Sequence, residues 1–598
     1  ASYIFFDRPP DQLSLSQSVL LAIIPNRPNS LRLDRFSEEA EISRDKWIER
    51  FREKGVFPES LLNAAQEENI PSNRYSIDPK APHLCYYLRE KEPAKSEIWS
   101  TLQPSTQHTA EQLLRNHVNR VKGYGVSNGA VIILDNRTSE VVAYCGSADF
   151  NDVESEGQVN GIRAIRSPGS TLKPAVYALG FDMGIVSPKM KLLDVPSLFT
   201  GFAPENYDLT FHGQVTVREA LSSSLNIPPV RLLQKITIDP FLDLLETGGF
   251  GTIKAKRQEL GLSVVLGGCG VSLEELSRFY STFARGGELH SLIYTKEDMG
   301  SVSQPTRLFS EGSAYLINDI LSDLSRPDLP QEYIEDTRLP KVAWKTGTSY
   351  GKRDAWSIGY NPRFTIGVWM GNFDGHGAPE LSGSVMAVPL LLDLFNAVDF
   401  DPQRKWFAQP PSVGQRVVCS ETGLLPGAHC ESRVSDLYLV NTSPLRTCDL
   451  YRKIYLSADR SMQYCPVCLP KSGYLSDWYP MYEPELALWF EANHISIKSP
   501  PIHNPDCESY FSGDGPRILS PSPDFDYLVE AGSGREILLQ AASDPTISTH
   551  YWYVNDRYYQ KAVPGEKVFF APMPGKLKVT VMDDKGRKSE AVVQVEYY

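Results

Sequence analysis

Arg166-Ser167-Pro168-Gly169-Ser170-Thr171-Leu172-Lys173-Pro174 is the stretch on which the reading of this chain turns. A serine hydroxyl becomes a useful nucleophile when a neighbouring base takes its proton. Residues three apart at a helix start lie one turn apart on a single face, so Lys173 can reach the Ser170 hydroxyl. The amine must be neutral to act as that base, and burial beside another cation lowers its pKa in the needed direction. Gly169 lets the chain turn tightly into the helix, which is expected over residues 172–184. Pro174 is tolerated there because it falls in the first turn. Spacing alone decides little: Ser43-Arg44-Asp45-Lys46 has the same spacing and reads as an exposed helix face.

Two further motifs follow in order. Ser224-Leu225-Asn226 lies fifty-four residues on. Ser224 can relay a proton, and the Asn226 amide can position Lys173 or a substrate amide; alone, the pair would read as a helix boundary. Lys345-Thr346-Gly347-Thr348-Ser349 presents a lysine and hydroxyls at a strand edge, a surface suited to a carboxylate, and Gly347 lets substrate approach the backbone. The N–H groups of Ser170 and Thr348 can together form an oxyanion hole. Alone, this too would be a polar strand end. The conjunction in this order matches the signature shared by penicillin-binding proteins and class A β-lactamases.

At these residues the sequence resembles the class A penicillin-binding proteins, most closely those of the 1C type. Residues 166–174 are similar to the family's nucleophile segment, residues 215–229 to its second motif, and residues 345–356 to its third. Leu225 stands where the signature has Asp, at a position the family leaves variable. The resemblance implies that Ser170 attacks the D-Ala-D-Ala bond of a peptidoglycan stem peptide. An acyl-enzyme forms and is resolved by an amine from a neighbouring stem. It implies catalytic roles for Ser170, Lys173, Ser224, Asn226 and Lys345, with Thr346, Gly347, Thr348 and Ser349 binding substrate. Penicillin would trap Ser170, and the reaction would need no metal or organic cofactor. Expected partners are stem peptides and β-lactams, with other cell-wall synthesis proteins possible. The expected location is the periplasmic face of the bacterial inner membrane through a missing N-terminal anchor, or the periplasm without one.

Residues 13–56 resemble the C-terminal end of the family's lysozyme-like glycosyltransferase domain. The combined Glu-Asp…His-x-Gly motif that should precede them is not found in the sequence, so glycan polymerisation is not expected of this polypeptide. Other readings of the serine site remain. A class A β-lactamase would place Glu-x-x-Leu-Asn between the second and third motifs; Glu483-Pro484-Glu485-Leu486 is similar but follows the third and lacks the Asn. A DD-carboxypeptidase would use water as acceptor, and a non-catalytic β-lactam sensor would not turn over.

At 598 residues the chain exceeds one hydrophobic core and implies three or four units. Its net charge of −13 sets aside a general nucleic-acid binder. The longest strongly apolar run, residues 19–24, is far shorter than the roughly 20 residues that span a bilayer. No signal peptide is visible, and the chain begins with Ala, as a fragment or processed product would.

The expected fold is multidomain α+β. A helical remnant occupies residues 1–78, with amphipathic helices over residues 14–24 and 43–54, and a linker covers 79–98. The penicillin-binding domain covers 99–410, with a serine β-lactamase/transpeptidase-like α/β/α core containing hairpins around residues 135–137 and 361–363. A Cys-rich connector with little regular structure follows at 411–510. Alternating strands then suggest a small β-sandwich over 511–598, resembling the C-terminal domain of 1C-type proteins. Tyr551, Trp552, Tyr553, Tyr558 and Tyr559 are candidates for exposed aromatics there, although alternation should bury about half.

Six of the nine cysteines lie between Cys419 and Cys507. Cys465-Pro466-Val467-Cys468 with His503 and Cys507 is able to bind zinc. In a periplasmic setting disulfides are the preferred expectation, and six cysteines allow fifteen connectivities.

Overall fold

The computed structural model describes residues 1–75, 80–197, 199, 202–300, 304–323, 340–399, 405–504, 506–507, 515–523, 527–529, 536–543 and 547–597. The chain forms two compact units, Ala1–Pro82 and His83–Tyr598.

The first unit is helical. Ser14 caps the helix Leu15–Ile23 in a reciprocal capping box with Gln17. Its four-residue apolar spacing buries Val19, Leu20 and Ile23 against Phe5, Phe6, Leu31, Leu33 and Ala40. The helix Ser37–Glu53 is not uniformly exposed around Ser43–Lys46, because Arg44 is fully buried. Its guanidinium donates to the carbonyls of Glu68 (2.5 Å) and Gln66 (2.9 Å). A buried cation is retained only where such acceptors replace water, and the sequence pattern does not reveal acceptors that come from twenty residues away.

The second unit is built on a five-stranded antiparallel sheet. In spatial order its strands are Val141–Cys145, Asn128–Asp135, Phe364–Gly371, Asp354–Tyr360 and Ala343–Thr348. Both expected hairpins are present. The inner strands are buried at every position rather than at alternate ones, which requires cover on both faces. One face packs Ala110, Leu114 and Val118 of the helix Pro104–Val121, with Leu390, Leu391, Leu394 and Phe395 of the helix Val388–Val398. The other face meets the helix Leu273–Ala284, which also packs on Glu311–Ser322 and its neighbours. The result is the expected three-layer α/β/α core. The edge strand Ala343–Thr348 faces the turn Gly169–Leu172.

Two segments are more regular than their composition implies. The proposed linker contains the helix Pro82–Lys91, which buries His83, Leu84 and Leu88. The Cys-rich segment forms the hairpin Val413–Cys419/Arg433–Leu439, a four-stranded sheet and the helix Pro484–Ala492. Its many Tyr and Pro residues obscured strands that pair through their backbones. The C-terminal part holds a three-stranded and a five-stranded sheet around Trp552, Leu539, Phe570, Val579, Val581 and Val593. None of the five aromatic candidates there is exposed: Trp552 and Tyr553 are buried, and Tyr551, Tyr558 and Tyr559 are half-buried.

Candidate active site

The segment Lys173–Asp182 carries apolar residues all around its axis and accordingly runs through the interior as a buried helix. A single 3-10 turn, Gly169–Leu172, delivers the chain into it and leaves Ser170 half-buried at its mouth. Neighbouring elements lock that turn. The Trp356 indole donates to the Ser167 carbonyl (2.8 Å), and the Tyr280 hydroxyl to the Thr171 carbonyl (2.5 Å). Gly169 has φ +55°, and a Cβ there would lie 2.4 Å from the Thr348 carbonyl oxygen. A Cβ on Gly347 would lie 2.3 Å from the Pro168 carbonyl oxygen. The turn and the edge strand therefore touch backbone to backbone, which glycine alone allows on both sides. This contact sets Gly169, the residue before Ser170, against the backbone of Thr348.

The three motifs converge here although their residues are far apart in sequence. Lys173 is fully buried, and its Nζ donates to the Ser224 carbonyl (2.5 Å), to Asn226 Oδ1 (2.6 Å) and, at 3.4 Å, to Ser224 Oγ. Lys345, 2% exposed, donates to the same Ser224 Oγ at 2.7 Å and to the Thr346 carbonyl at 2.9 Å. Ser224 thus bridges two lysines, and it does so from a left-handed backbone conformation (φ +56°), a strained geometry of the kind that collects at functional sites. Burial, and then the charge of Lys345, hold the Lys173 amine well below its ordinary pKa. Burial alone pushes Lys345 down to about 7. Both amines are thus shifted toward their neutral forms, Lys173 by burial and by the charge of Lys345, Lys345 by burial.

Thr346 and Thr348 are half-buried at alternate positions on the strand, and the Thr348 hydroxyl accepts from the Gly383 N–H (3.0 Å). Ser349 goes elsewhere. It is 5% exposed, and its hydroxyl accepts from the Asp354 (2.8 Å) and Arg353 (3.3 Å) amides, closing the hairpin turn.

Sequence reasoning missed the support behind Asn226. Its backbone N–H donates to Asn206 Oδ1 (2.8 Å), and its Nδ2 to the Glu205 carbonyl (2.5 Å). Asn206 Nδ2 in turn donates to both oxygens of Asp194 (3.0 and 2.9 Å), which is fully buried and also holds His212 Nδ1 at 2.8 Å. A chain Asp194–Asn206–Asn226 thereby aims an amide oxygen at Lys173. These residues belong to no short motif, so spacing carried no signal for them.

Glu483, which takes the glutamate position of the β-lactamase-like string, is exposed, while Glu485 two residues on is 7% exposed and pairs with Arg231 at 2.6 Å. None of the nine cysteines is joined in a disulfide in this structure. The expected disulfides are not formed; Cys465 Sγ lies 3.7 Å from both Cys468 Sγ and Cys507 Sγ, against about 2.05 Å in a disulfide.

Three stretches of the chain match known protein families. Residues 129–381 match the family described as the penicillin binding protein transpeptidase domain. Residues 409–453 match the C-terminal domain of penicillin-binding protein 1A, and residues 506–595 the penicillin-binding protein C-terminus family. Penicillin-binding protein 1C of Escherichia coli (strain K12) is 35% identical over 458 residues, covering 74% of this chain and 57% of that protein. Penicillin-binding protein 1F of Bacillus subtilis (strain 168) is 26% identical over 403 residues, 62% of this chain and 55% of that protein. The chain thus spans little more than half the length of these curated relatives. The crystal structure of penicillin-binding protein 1A from Haemophilus influenzae superposes with a TM-score of 0.58 at 17% identity, over 75% of this chain and 88% of that one, a likeness of fold. The chain therefore carries the transpeptidase domain of the penicillin-binding proteins, followed by their C-terminal module.

Proposed function

We propose that this protein is a peptidoglycan DD-transpeptidase acting through an acyl-enzyme on Ser170. The observation that carries the reading is the buried pair Lys173 and Lys345, joined through Ser224 beside the Ser170 turn. Neutral Lys173 takes the Ser170 proton as the oxygen attacks the carbonyl between two D-alanines. The tetrahedral oxyanion sits against the N–H groups of Ser170 and Thr348, which the Gly169–Thr348 backbone contact brings close. Ser224, held between two amines, hands its proton to the departing D-Ala nitrogen and takes back from Lys173 the proton that left Ser170. Lys345 with Thr346 and Thr348 receives the terminal carboxylate. An amine of a neighbouring stem then displaces Ser170 and forms the cross-link. β-Lactams occupy the same site, because their ring amide and carboxylate present the same two handles. An extracytoplasmic location follows from that substrate; among the described residues no helix is long and apolar enough to cross a membrane.

The experiment is labelling with fluorescent penicillin, peptide mapping of the adduct, and product analysis on stem-peptide donors with added acceptor amine. Label on Ser170 with amide-linked product is expected. Label elsewhere, or none, refutes the acyl-enzyme on Ser170. Release of free acid despite acceptor assigns a carboxypeptidase, and rapid release of penicillin a β-lactamase.

A further inference from the structure

Cys465, Cys468, His503 and Cys507 bring their Sγ and imidazole nitrogen atoms within 4.8 Å of one another. Within the cluster Cys465 Sγ lies 3.7 Å from Cys468 Sγ and 3.7 Å from Cys507 Sγ, and Cys468 Sγ lies 3.4 Å from His503 Nε2. A tetrahedral zinc ion with bonds of about 2.3 Å to sulfur and about 2.0–2.1 Å to nitrogen sets S–S edges near 3.8 Å and S–N edges near 3.6 Å. These three edges are within about 0.2 Å of those values, and the remaining pairs lie within 4.8 Å. A disulfide explains the cluster less well. Cys465 is equidistant from two candidate partners, and any pairing leaves a third thiol and an imidazole crowded against it.

The local backbone is arranged for thiolate ligands. The Cys465 N–H donates to Cys468 Sγ at 3.3 Å, and the amides of Val467 and Cys468 donate to Cys465 Sγ. Amides aimed at sulfur disperse the negative charge that two or more thiolates bring to one ion. The ligands also join separate pieces of chain. Cys465 and Cys468 follow the strand Met462–Tyr464, whose parallel partner Ile502–His503 supplies the histidine. Cys507 is the second residue of the segment matching the C-terminal module. The sheet they tie together has little core of its own; its strands bury Leu456, Tyr479 and Pro480. Small sheets of this kind commonly depend on a metal or disulfide staple.

We propose that Cys465, Cys468, His503 and Cys507 form a closed structural zinc site that fastens the root of the C-terminal module to the four-stranded sheet. With four protein ligands it has no open position for substrate, so it serves the fold and not the acyl transfer. A second cluster, Cys419, Cys430 and Cys448, has no fourth His, Cys, Asp or Glu donor among the described residues and is not assigned.

The test is metal content of the full chain, purified without chelator or reductant, beside the Cys465→Ser/Cys468→Ser variant. The wild type should hold about one more zinc per chain than the variant, and non-reducing peptide maps should show all three thiols unpaired. Equal zinc in both proteins, or a disulfide among the three cysteines, overturns the proposal. Should the variant fail to fold, cobalt exchange into the wild type decides. Visible bands of tetrahedral thiolate-bound cobalt support the site, and their absence refutes it.

Discussion

Replacing Lys345 by methionine tests the electrostatic core of the proposed mechanism. Lys173 and Lys345 donate to the same Ser224 hydroxyl, from 3.4 and 2.7 Å. Their nitrogens are therefore at most about 6 Å apart. Two unit charges at that separation repel by about 2.7 kcal/mol at an effective dielectric of about 20, which corresponds to about two pH units. Lys345 is the charge that depresses the Lys173 amine after burial itself. Its removal should raise the pKa of Lys173, and the acid limb of the acylation profile should move to higher pH. The assay is stopped-flow acylation by a fluorescent penicillin at saturating concentration across the pH range. The height of the profile also falls, because a carboxylate contact is lost, so the position of the limb is the diagnostic reading. A limb that stays in place or moves to lower pH refutes the view that these lysines are electrostatically coupled through Ser224.

Asp194 acts on Lys173 with the opposite sign, so Asp194→Asn should move the same limb to lower pH, by less than Lys345→Met moves it up; an unchanged limb would leave Asp194 a structural residue only. The same Lys345→Met variant should alter the pH dependence of stability. The folded chain holds Lys345 at about 7, while the unfolded chain holds it near the ordinary lysine value of 10.5. Between those values the unfolded chain binds more protons, so this group makes stability rise with pH across that window, by at most about 5 kcal/mol; urea midpoints at both ends should show the slope flattened in the variant. Gly169→Ala should abolish penicillin labelling and cost at least about 2 kcal/mol in urea unfolding, since its Cβ would meet the Thr348 carbonyl at 2.4 Å; normal labelling would show that the turn and strand can separate. Glu485→Ala should cost about 3 kcal/mol by leaving Arg231, 14% exposed, without its carboxylate. Denaturant unfolding checks this, and a change below about 0.5 kcal/mol would mean that water reaches the guanidinium.

Much of the site was legible in sequence because its chemistry is carried by short strings. Ser170–Lys173, Ser224–Asn226 and Lys345–Thr348 each need specific side chains at fixed offsets on one helix turn or strand, and such offsets survive in one dimension. The same holds for both core hairpins, where turn residues separate β-branched runs. Sequence alone thus determined the order of motifs, a central region of mixed helices and strands, and the alternating strands near the C-terminus; the α/β/α core was expected from the family resemblance. It could not rank Ser43–Lys46 below Ser170–Lys173 by spacing, and it misread the surroundings of Arg44. It also grouped Ser349 with the substrate-binding residues, whereas the fold turns that hydroxyl into a hairpin. What only the tertiary structure decided is whatever depends on approach between distant segments: two lysines 172 positions apart sharing one hydroxyl, the Asp194–Asn206 support behind Asn226, the backbone contact that calls for glycine at 169 and 347, and the convergence of Cys465, Cys468, His503 and Cys507. Burial set the lysine pKa values, and burial belongs to the packed fold rather than to any string of residues.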